Sequence, residues 1–267
     1  MKHTHITLLT HQPPKGELMS QIKAIYIDHM GNDNSIVNAA RLSLDKRADQ
    51  YTDKENISLI RYLASGQSSK DTQKQLDALL SSNISKDEVM AALHEAKHRS
   101  THWTPFAHTA ITVQVTAPVP IRTQCFKHKQ GLVENEESRR YISSRPQLFI
   151  PDNFYGRPSN IKQGRDGVHH NSQSWCAAYM AHCEMMIDVY EEMILDGVAP
   201  EQARFVLPQG CMVNWQWTGN LVAFTNFYMS RTHSTAQKEV SEVAHAIKDI
   251  IRPLYPHSWD ALTLPNF

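Results

Sequence analysis

Alternation of apolar and polar residues predicts two strands. In Thr109–Val115, isoleucine and valine at every second position alternate with threonine and glutamine. A period of two is typical of a strand with one buried face. Pro118 and Pro120 follow, and they predict that the strand ends there because proline cannot donate to a sheet ladder. Cys211–Trp217 alternates in the same way and is a second candidate strand.

A period of three to four residues predicts a long amphipathic helix over Asn171–Leu195. Asp196 and Gly197 follow the last periodic position and predict its C-terminus. The positions that recur at helical spacing form its predicted buried face: Trp175, Tyr179, His182, Met186, Val189 and Met193.

Shorter helices are predicted on the C-terminal side of this one. Pro200 begins a helical turn that contains Arg204, and a helix over about Gly219–Ser230 follows the second strand. A last helix is predicted to begin after Ser234, which forms a capping box with Gln237. Its predicted buried face is Val240, Val243, Ile247 and Ile250.

The segment after the first strand combines a helix with a loop. Pro120 suits a first helical position, where its missing N–H costs no hydrogen bond. A short helix is predicted from there to about Lys129, ending at Gly131. The residues that follow, through Tyr141, are predicted to form a loop. One face of the helix is polar and carries Gln124, Lys127 and His128.

The most polar and least patterned segment is Ala64–Ser100. Within it, Ser85 and Glu88 form a capping box, which predicts that a helix begins there. We interpret the segment as a polar, partly helical surface insertion at about residues 64–100 of a single domain spanning residues 1–267. The mixture of elements predicts an α/β (α+β) fold, in which a mixed or antiparallel sheet is flanked by long helices.

Composition narrows the class of protein. The 267 residues are 41% hydrophobic, with 27 basic and 27 acidic groups and a pI near 7.3. A nucleic-acid-binding domain is usually basic, so this neutrality argues against one. No apolar run approaches the roughly 20 residues of a membrane helix, and the scattered cysteines suit a reducing compartment. We therefore expect a cytoplasmic protein, in the host cytoplasm if the source is viral, without a membrane or nucleic-acid partner.

One segment departs from this overall neutrality. Between Arg122 and Arg145 the chain contains three carboxylates, those of Glu134, Glu136 and Glu137. It also contains six cations, which are Arg122, Lys127, Lys129, Arg139, Arg140 and Arg145. A local positive surplus in a neutral protein predicts a site for an anionic ligand.

Five segments of the chain, in order, resemble the flavin-dependent thymidylate synthases. The family signature is R-H-R, a short spacer and N-E-x-S-x-R-Y. Here it stands as Lys127–Lys129 and, after a spacer one residue longer than usual, Asn135–Tyr141. The other segments are DHMGND continuing to AARLS (28–43), HWTPFAH (102–108), ARFVLP (203–208), and the set Asn220, Asn226, Arg231 and Ala236–Gln237. One segment alone is weak evidence, whereas five in the same order are not explained by chance.

The resemblance implies a reaction and an assembly. Members of this family methylate dUMP to dTMP with a methylene group from methylenetetrahydrofolate, and the electrons come from NADPH through FAD. They use no protein nucleophile on the uracil ring. They form a homotetramer in which the FAD and dUMP sites are built from several subunits. The chain has no G-x-G-x-x-G after a strand, so we expect a flavin site that is not of the Rossmann type.

The resemblance also implies roles for individual residues. Arg231 is the expected catalytic residue, because a guanidinium beside uracil stabilises negative charge around N3 and O2. The expected dUMP contacts are Gln124, Lys127, Glu136, Ser138, Arg139, Arg140, Arg204 and Arg231. The expected FAD contacts are His102, Thr104, Lys127, His128, Lys129, Glu136, Asn220, Val222 and Asn226. No metal site is expected.

This chain departs from the family pattern at a few positions. Lys127 and Lys129 replace the usual arginines, and a lysine lacks the bidentate fork of a guanidinium. Val222 lies where a family arginine often contacts the flavin, so only a backbone contact is carried over.

Other classes of function fit parts of the sequence. A metal-dependent hydrolase is the alternative suggested by four histidines, His94, His98, His102 and His108, because the first three recur every four residues. A small nucleic-acid-binding module is suggested by Arg139, Arg140 and the neighbouring lysines, although the neutral charge argues against it. Cys125 lies inside the motif, but a buried apolar role suits it better than that of a nucleophile.

Overall fold

A computed structural model describes residues 21–66, 73, 74, 77, 80, 85–90, 101–159 and 164–264. In these ranges four strands form one sheet: β1 (Lys23–Met30), β2 (Ala110–Pro118), β3 (Leu132–Glu136) and β4 (Met212–Gly219). Their order across the sheet is β1-β2-β4-β3, and every neighbouring pair is antiparallel. The predicted combination of helices with an antiparallel sheet is confirmed.

Along the chain, helices lie between the strands and follow the last of them. The first half contains α1 (Asp33–Arg41), α2 (Asp53–Ser65), the short α3 (Thr104–Ala107) and α4 (Val119–Cys125). The second half contains α5 (Ser172–Leu195), α6 (Pro200–Ala203), α7 (Leu221–Arg231), α8 (Lys238–Ile251) and α9 (Pro256–Thr263). Short 3₁₀ turns occur at Leu42–Leu44, Ala48–Gln50 and Arg204–Val206. The apolar pattern does not predict β1, α1–α3 or α9. None of the helices in the described ranges is long and apolar enough to span a bilayer.

The two central strands carry the core. The apolar side chains of β2 at positions 111, 113 and 115 are fully buried, as the alternation predicts. On β4, Trp215 and Trp217 are buried beside them, and the Trp217 ring lies edge-on to Phe224 and Phe227 of α7. Fully burying a large apolar side chain stabilises a fold by roughly 1.5–3 kcal/mol. The sheet and α7 therefore form one rigid support for the residues at the ends of their elements.

Strand β2 is longer than predicted. It continues through Pro118, which pairs with Met212 at the start of β4. Proline is tolerated there because it is the terminal residue of the strand, where a missing N–H interrupts no longer ladder.

The segment after α4 differs from the prediction in two respects. Helix α4 ends at Cys125, not near Lys129, so Gln124, Lys127 and His128 do not share one helical face. The predicted loop contains β3, which pairs with β4 from Leu132 to Glu136. Leu132 is the one apolar residue of β3 that is buried in the core, so the sequence shows no alternation that would predict this strand.

Helix α5 has the predicted ends, but a different face is buried. Cys183, Ile187 and Tyr190 are buried, and the first two pack with Leu148 and Cys211. Of the predicted face, Trp175, His182, Met186 and Val189 are exposed, and Tyr179 and Met193 are half-buried. Both faces are apolar, so periodicity alone does not distinguish them.

The predictions for the remaining helices are mostly confirmed. Helix α7 begins after Asn220, and α6 begins at Pro200, with Arg204 opening the 3₁₀ turn that follows it. Helix α8 begins at Lys238, so the predicted capping box at Ser234 is wrong. Its apolar face is buried except for Ile250, which is half-buried. The capping box at Ser85 is present, since the N–H of Glu88 donates to Ser85 Oγ at 3.2 Å.

Candidate active site

The C-terminal ends of α4 and α7 meet at His128 and Arg231. After α4 ends, the backbone turns, and the N–H of His128 donates to the carbonyl of Cys125 at 3.0 Å. The imidazole packs edge-on against the ring of Phe227, with centroids 5.0 Å apart. Arg231, the last residue of α7, donates from Nε to Nε2 of His128 at 2.9 Å. Its Nη2 donates to the carbonyl oxygen of Gln124 at 3.4 Å.

These contacts define the protonation state of His128. An arginine side chain has only N–H donors, so Nε2 of His128 is the acceptor and holds no proton. Burial lowers the pKa of His128 below its usual value, and the charge of Arg231 lowers it further. The imidazole is therefore neutral at pH 7, with its proton on Nδ1.

The side chain of Gln124 extends the same cluster toward α8. Its Nε2 donates to Oε1 of Gln237 at 2.6 Å, and Gln237 immediately precedes α8. Hydrogen bonds through Gln124 thus link residues of α4, α7 and the segment before α8. We call Gln124, His128, Arg231 and Gln237 the Arg231 cluster.

A second charged group surrounds Glu136 at the end of β3. Its Oε2 lies 3.3 Å from Nε of Arg122 on α4. Burial raises the pKa of the Glu136 carboxyl above its usual value; Arg122 opposes this shift, Glu137 adds to it and Arg204 opposes it. Arg204, in the 3₁₀ turn after α6, is thus among the charges that act on this carboxyl.

Arg140 and Arg204 are brought together by Glu201. Oε2 of Glu201 lies 3.7 Å from Nε of Arg140, and its backbone carbonyl accepts from Nε of Arg204 at 3.2 Å. Ser138 Oγ accepts from the backbone N–H of Arg140 at 3.3 Å. Two exposed guanidiniums beside a serine hydroxyl suit a phosphate group. We call Glu136, Ser138, Arg140 and Arg204 the anion cluster.

Arg139 lies in the same loop but makes a different contact. Its Nη1 donates to the carbonyl of Ser144, five residues along the loop. The side chain therefore braces the loop that carries the anion cluster.

The loop is also fixed by residues that the sequence analysis does not select. Nδ2 of Asn214 on β4 donates to Glu137 Oε2 at 2.9 Å, and Thr116 Oγ1 donates to Asn214 Oδ1 at 2.6 Å. From α5, the hydroxyl of Tyr190 donates to the carbonyl of Ile142 at 3.1 Å. Only Glu137 has a local signal, because it lies inside the motif.

Arg145 anchors the far end of the loop to α5. Its guanidinium pairs with three carboxylates on that helix, those of Glu184, Asp188 and Glu191. Helix α5 contains no lysine or arginine. An acidic helix face without cations of its own is the signal from which such a clamp can be predicted.

The Arg231 cluster and the anion cluster lie on different sides of α4. Arg122, which contacts Glu136, and Gln124, which contacts Gln237, are two positions apart in this helix. At 3.6 residues per turn, that separation is about 200° around the axis. The residues expected to contact dUMP therefore form two groups within one chain. Lys127 is exposed just beyond the end of α4.

Several residues expected to contact FAD lie on or beside α7. Asn220 caps this helix, because its Oδ1 accepts from the N–H of Ala223 at 2.9 Å. Val222 and Asn226 share one side of the helix, with Val222 half-buried and Asn226 exposed. Thr104 is exposed at the start of α3, which contacts α7.

Two further flavin candidates already have partners. Lys129 pairs with Glu134, five residues along the chain. The His102 ring stacks on Tyr62, with centroids 5.6 Å apart.

Neither a metal centre nor a cysteine nucleophile is supported. In the ranges that the structure describes, no three histidine, cysteine or acidic side chains come together as a metal site. His94 and His98 lie outside those ranges. Cys125 is fully buried, and burial raises the pKa of its thiol to about 12, so it is protonated at neutral pH. Within the described ranges, the structure gives no support to the metal-dependent hydrolase.

Comparison with known proteins identifies the family of this chain. Residues 26–257 match the family model described as thymidylate synthase complementing protein. The flavin-dependent thymidylate synthase of Thermosipho melanesiensis is 28% identical over 243 residues, which cover 90% of each chain. That of Thermosipho africanus is 31% identical over 164 residues, covering 60% of this chain and 71% of the relative.

A solved structure is similar along nearly the whole length. The UMP/dUMP methylase PolB from Streptomyces cacaoi, bound with 5-Br dUMP, superposes with a TM-score of 0.70 at 25% identity. The match covers 92% of this chain and 97% of PolB. On the extent of the family match, this chain belongs to the thymidylate synthase complementing protein family.

Proposed function

We propose that this protein is a flavin-dependent thymidylate synthase that methylates dUMP to dTMP. Methylenetetrahydrofolate is the carbon donor, and NADPH is the reductant through FAD. The observation that carries the proposal is the Arg231 cluster. Two of the five N–H donors of Arg231 are used by described residues, which hold the guanidinium and leave donors for a ligand.

Arg231 supplies electrostatic stabilisation to the pyrimidine. Methylation at C5 requires a ring polarised so that this carbon is electron-rich, with negative charge held around N3 and O2. A fixed guanidinium stabilises this charge without losing its own proton. With Cys125 buried and protonated, the ring is activated by charge and not by a covalent bond to the protein.

The anion cluster binds the phosphate of dUMP. Arg140 and Arg204 present planar forks that match two phosphate oxygens each, and Ser138 adds a hydroxyl donor. Glu201 holds the two arginines near one another before the ligand binds. Lys127 supplies a further cation at the end of α4.

The donor set around α4 and α7 fits FAD. Lys127 offers an exposed ammonium group suited to a pyrophosphate, and Asn226 offers an exposed amide. Lys129 adds a second ammonium group, which is paired with Glu134 before the ligand binds. His102, Thr104, His128, Glu136, Asn220 and Val222 complete the proposed contacts. When bound, FAD supplies the redox chemistry, while the chain binds and orients the reactants. This site is not of the Rossmann type.

The proposal includes a homotetramer. The two groups of dUMP residues lie on different sides of α4, which favours a nucleotide site shared with a second copy. Helix α5 also presents a stripe spaced alternately by four and three residues: Trp175, Tyr179, His182, Met186, Val189 and Met193. Its Trp175 is 55% exposed and its Val189 41% exposed. The exposed members of the stripe, Trp175, His182, Met186 and Val189, suit the seam between two packed helices, whereas Tyr179 and Met193 are half-buried.

One set of measurements tests the proposed reaction. Purified protein is expected to acquire flavin absorbance with FAD and to form dTMP from dUMP, methylenetetrahydrofolate and NADPH. UMP is assayed in parallel, because the similar PolB is a UMP/dUMP methylase. A folded protein that takes up no flavin contradicts the proposal.

Replacing Arg231 tests the mechanism. Arg231→Ala is expected to lower kcat by about 10²–10³-fold, the usual effect of removing one preorganised charge-stabilising donor. Arg47→Ala is the matched control, because Arg47 is exposed and pairs only loosely with Asp49, at 4.0 Å. Circular dichroism checks that both variants are folded.

A further inference from the structure

The proposed function depends on the orientation of Arg231, and that orientation depends on a neighbouring side chain. We propose that His128 is a positioning residue for Arg231. As a neutral acceptor at Nε2 it fixes the plane of the guanidinium toward the pyrimidine, and its protonation releases the guanidinium. The inference rests on the proposed function and adds to His128 a role separate from any contact with FAD.

The two hydrogen bonds of Arg231 fix its plane. Nε and Nη2 lie on the same edge of a guanidinium, and here they donate to His128 Nε2 and to the carbonyl of Gln124. Two bonds along one edge prevent rotation about the last side-chain bond. The two N–H groups of Nη1 and the second N–H of Nη2 point away from this edge, where a ligand can meet them.

The acceptor is neutral, which preserves the charge of Arg231. Other cations of the motif pair with carboxylates: Arg122 with Glu136, and Lys129 with Glu134. In the part of the chain that the structure describes, Arg231 has no such carboxylate partner. A carboxylate would orient the guanidinium equally well but would offset the positive charge that polarises uracil. A neutral imidazole orients it without this loss.

The surroundings of His128 keep it in this role. The ring is half-buried and braced by the edge contact with Phe227, and its backbone is tied to the end of α4. From α7 the charged group that faces it is Arg231. From α4 the group in contact with it is the backbone carbonyl of Cys125, which accepts from the N–H of His128. Lys127 and Lys129 flank it and are exposed.

The sign of the pH effect follows from these contacts. Burial and Arg231 both favour the neutral ring, so the pKa of His128 lies below its usual 6.5. The hydrogen bond is therefore intact at neutral pH and is lost only as the pH falls through that lowered value. The rate is expected to have an acidic limb below pH 6.5 that belongs to His128.

A pair of variants separates positioning from bulk structure. In His128→Gln the side-chain oxygen can replace Nε2 as a neutral acceptor, whereas His128→Ala removes it. At saturating FAD, monitored by absorbance, we expect His128→Ala to lower kcat about 10²-fold, as a small misplacement of a catalytic group does. His128→Gln is expected to stay within about threefold of the wild type, on the scale of a single conserved hydrogen bond, and to lack the acidic limb. His245→Gln, at an exposed histidine of α8, is the control.

A measurement without turnover tests the pair itself. Imidazole ¹⁵N NMR of histidine-labelled protein is expected to show Nε2 of His128 without a proton, and Arg231→Leu is expected to raise the pKa of His128. Equal losses of kcat in His128→Ala and His128→Gln, or a protonated Nε2 in the wild type, overturn the inference even if the enzyme is active. Failure of the wild type to form dTMP overturns the proposed function instead, and the positioning role with it.

Discussion

A single glycine sits between the segments that carry the proposed flavin contacts. Gly131 has a φ of +72°, and a Cβ added to it would lie 2.9 Å from Nδ2 of Asn220 and 3.1 Å from Cβ of Ala223. Its carbonyl also accepts from the N–H of Asn220 at 3.3 Å. The turn therefore requires both a left-handed conformation and the absence of a side chain.

Gly131→Ala is expected to lower the free energy of unfolding by more than the ~1–2 kcal/mol of a left-handed residue alone, because Asn220 must also move. Thermal unfolding measures this, and FAD titration should show weaker binding. Gly197→Ala is the matched control, since Gly197 has a φ of +87° but nothing within 4 Å of an added Cβ. Equal losses in the two variants would show that the contact with Asn220 is unimportant.

At the scale of elements, helix α7 connects the fold to the site at both ends. Its N-terminus is capped by Asn220, which is also a proposed FAD contact, and its C-terminus carries Arg231. A cap and a ligand contact make different demands on the same side chain. A serine hydroxyl can accept the capping hydrogen bond, but it does not provide the side-chain amide proposed to contact FAD.

Asn220→Ser is expected to unfold at nearly the wild-type temperature, whereas Asn220→Ala loses about 1 kcal/mol with the cap. Both are expected to bind FAD about tenfold more weakly, the effect of one lost hydrogen bond. Calorimetry and FAD titration give the two quantities separately. Wild-type FAD affinity in Asn220→Ser would leave Asn220 as a cap only.

The clamp between Arg145 and α5 belongs to the same scale. Arg145→Ala is expected to raise the KM for dUMP severalfold with little change in kcat, because it loosens the loop that carries the anion cluster. The effect on stability should be below about 1 kcal/mol, since the ion pairs are partly exposed, and should shrink at high salt. Steady-state kinetics at two salt concentrations measure this.

Arg252→Ala is the control for the clamp, because Arg252 pairs with Asp260 and does not contact this loop. An equal rise in the KM for dUMP in both variants would contradict a specific role for Arg145.

At the scale of the whole molecule, the apolar stripe on α5 determines the proposed assembly. Met186→Glu places a charge in the stripe and is expected to reduce the molecular mass in solution and to lower activity with it. Gln173→Glu adds the same charge at an exposed position on a different side of α5 and should change neither. Light scattering after gel filtration measures the mass. An unchanged mass in Met186→Glu would contradict the proposed seam.

A site shared between subunits makes a second prediction at this scale. Arg231→Ala and Arg140→Ala each remove one of the two groups that flank α4. If one nucleotide contacts the two groups from different chains, mixed oligomers of these inactive variants are expected to recover part of the wild-type rate. Recovery after mixing and refolding is compared with each variant treated alone, and no recovery would indicate a site within one chain.

Local sequence determined much of this protein. The alternation on β2 and β4, the ends of α5 and the cap at Asn220 depend on residues within a few positions of one another, and each motif segment is a short run of residues. Such features are visible in a linear sequence because the periods of helices and strands repeat over short distances. The charge surplus between Arg122 and Arg145 is also confined to one short segment, and it indicated an anion site.

Tertiary structure alone decided the rest. It selected the buried face of α5 from two apolar faces, paired β3 with β4 despite its polar sequence, and ended α4 four residues early. It also brought His128 to Arg231, 103 residues away, and Gln124 to Gln237, 113 residues away. These outcomes depend on which surfaces meet when the whole chain packs, and no local period records that. The sequence contains both His128 and Arg231, but only the folded chain brings the neutral imidazole to the guanidinium.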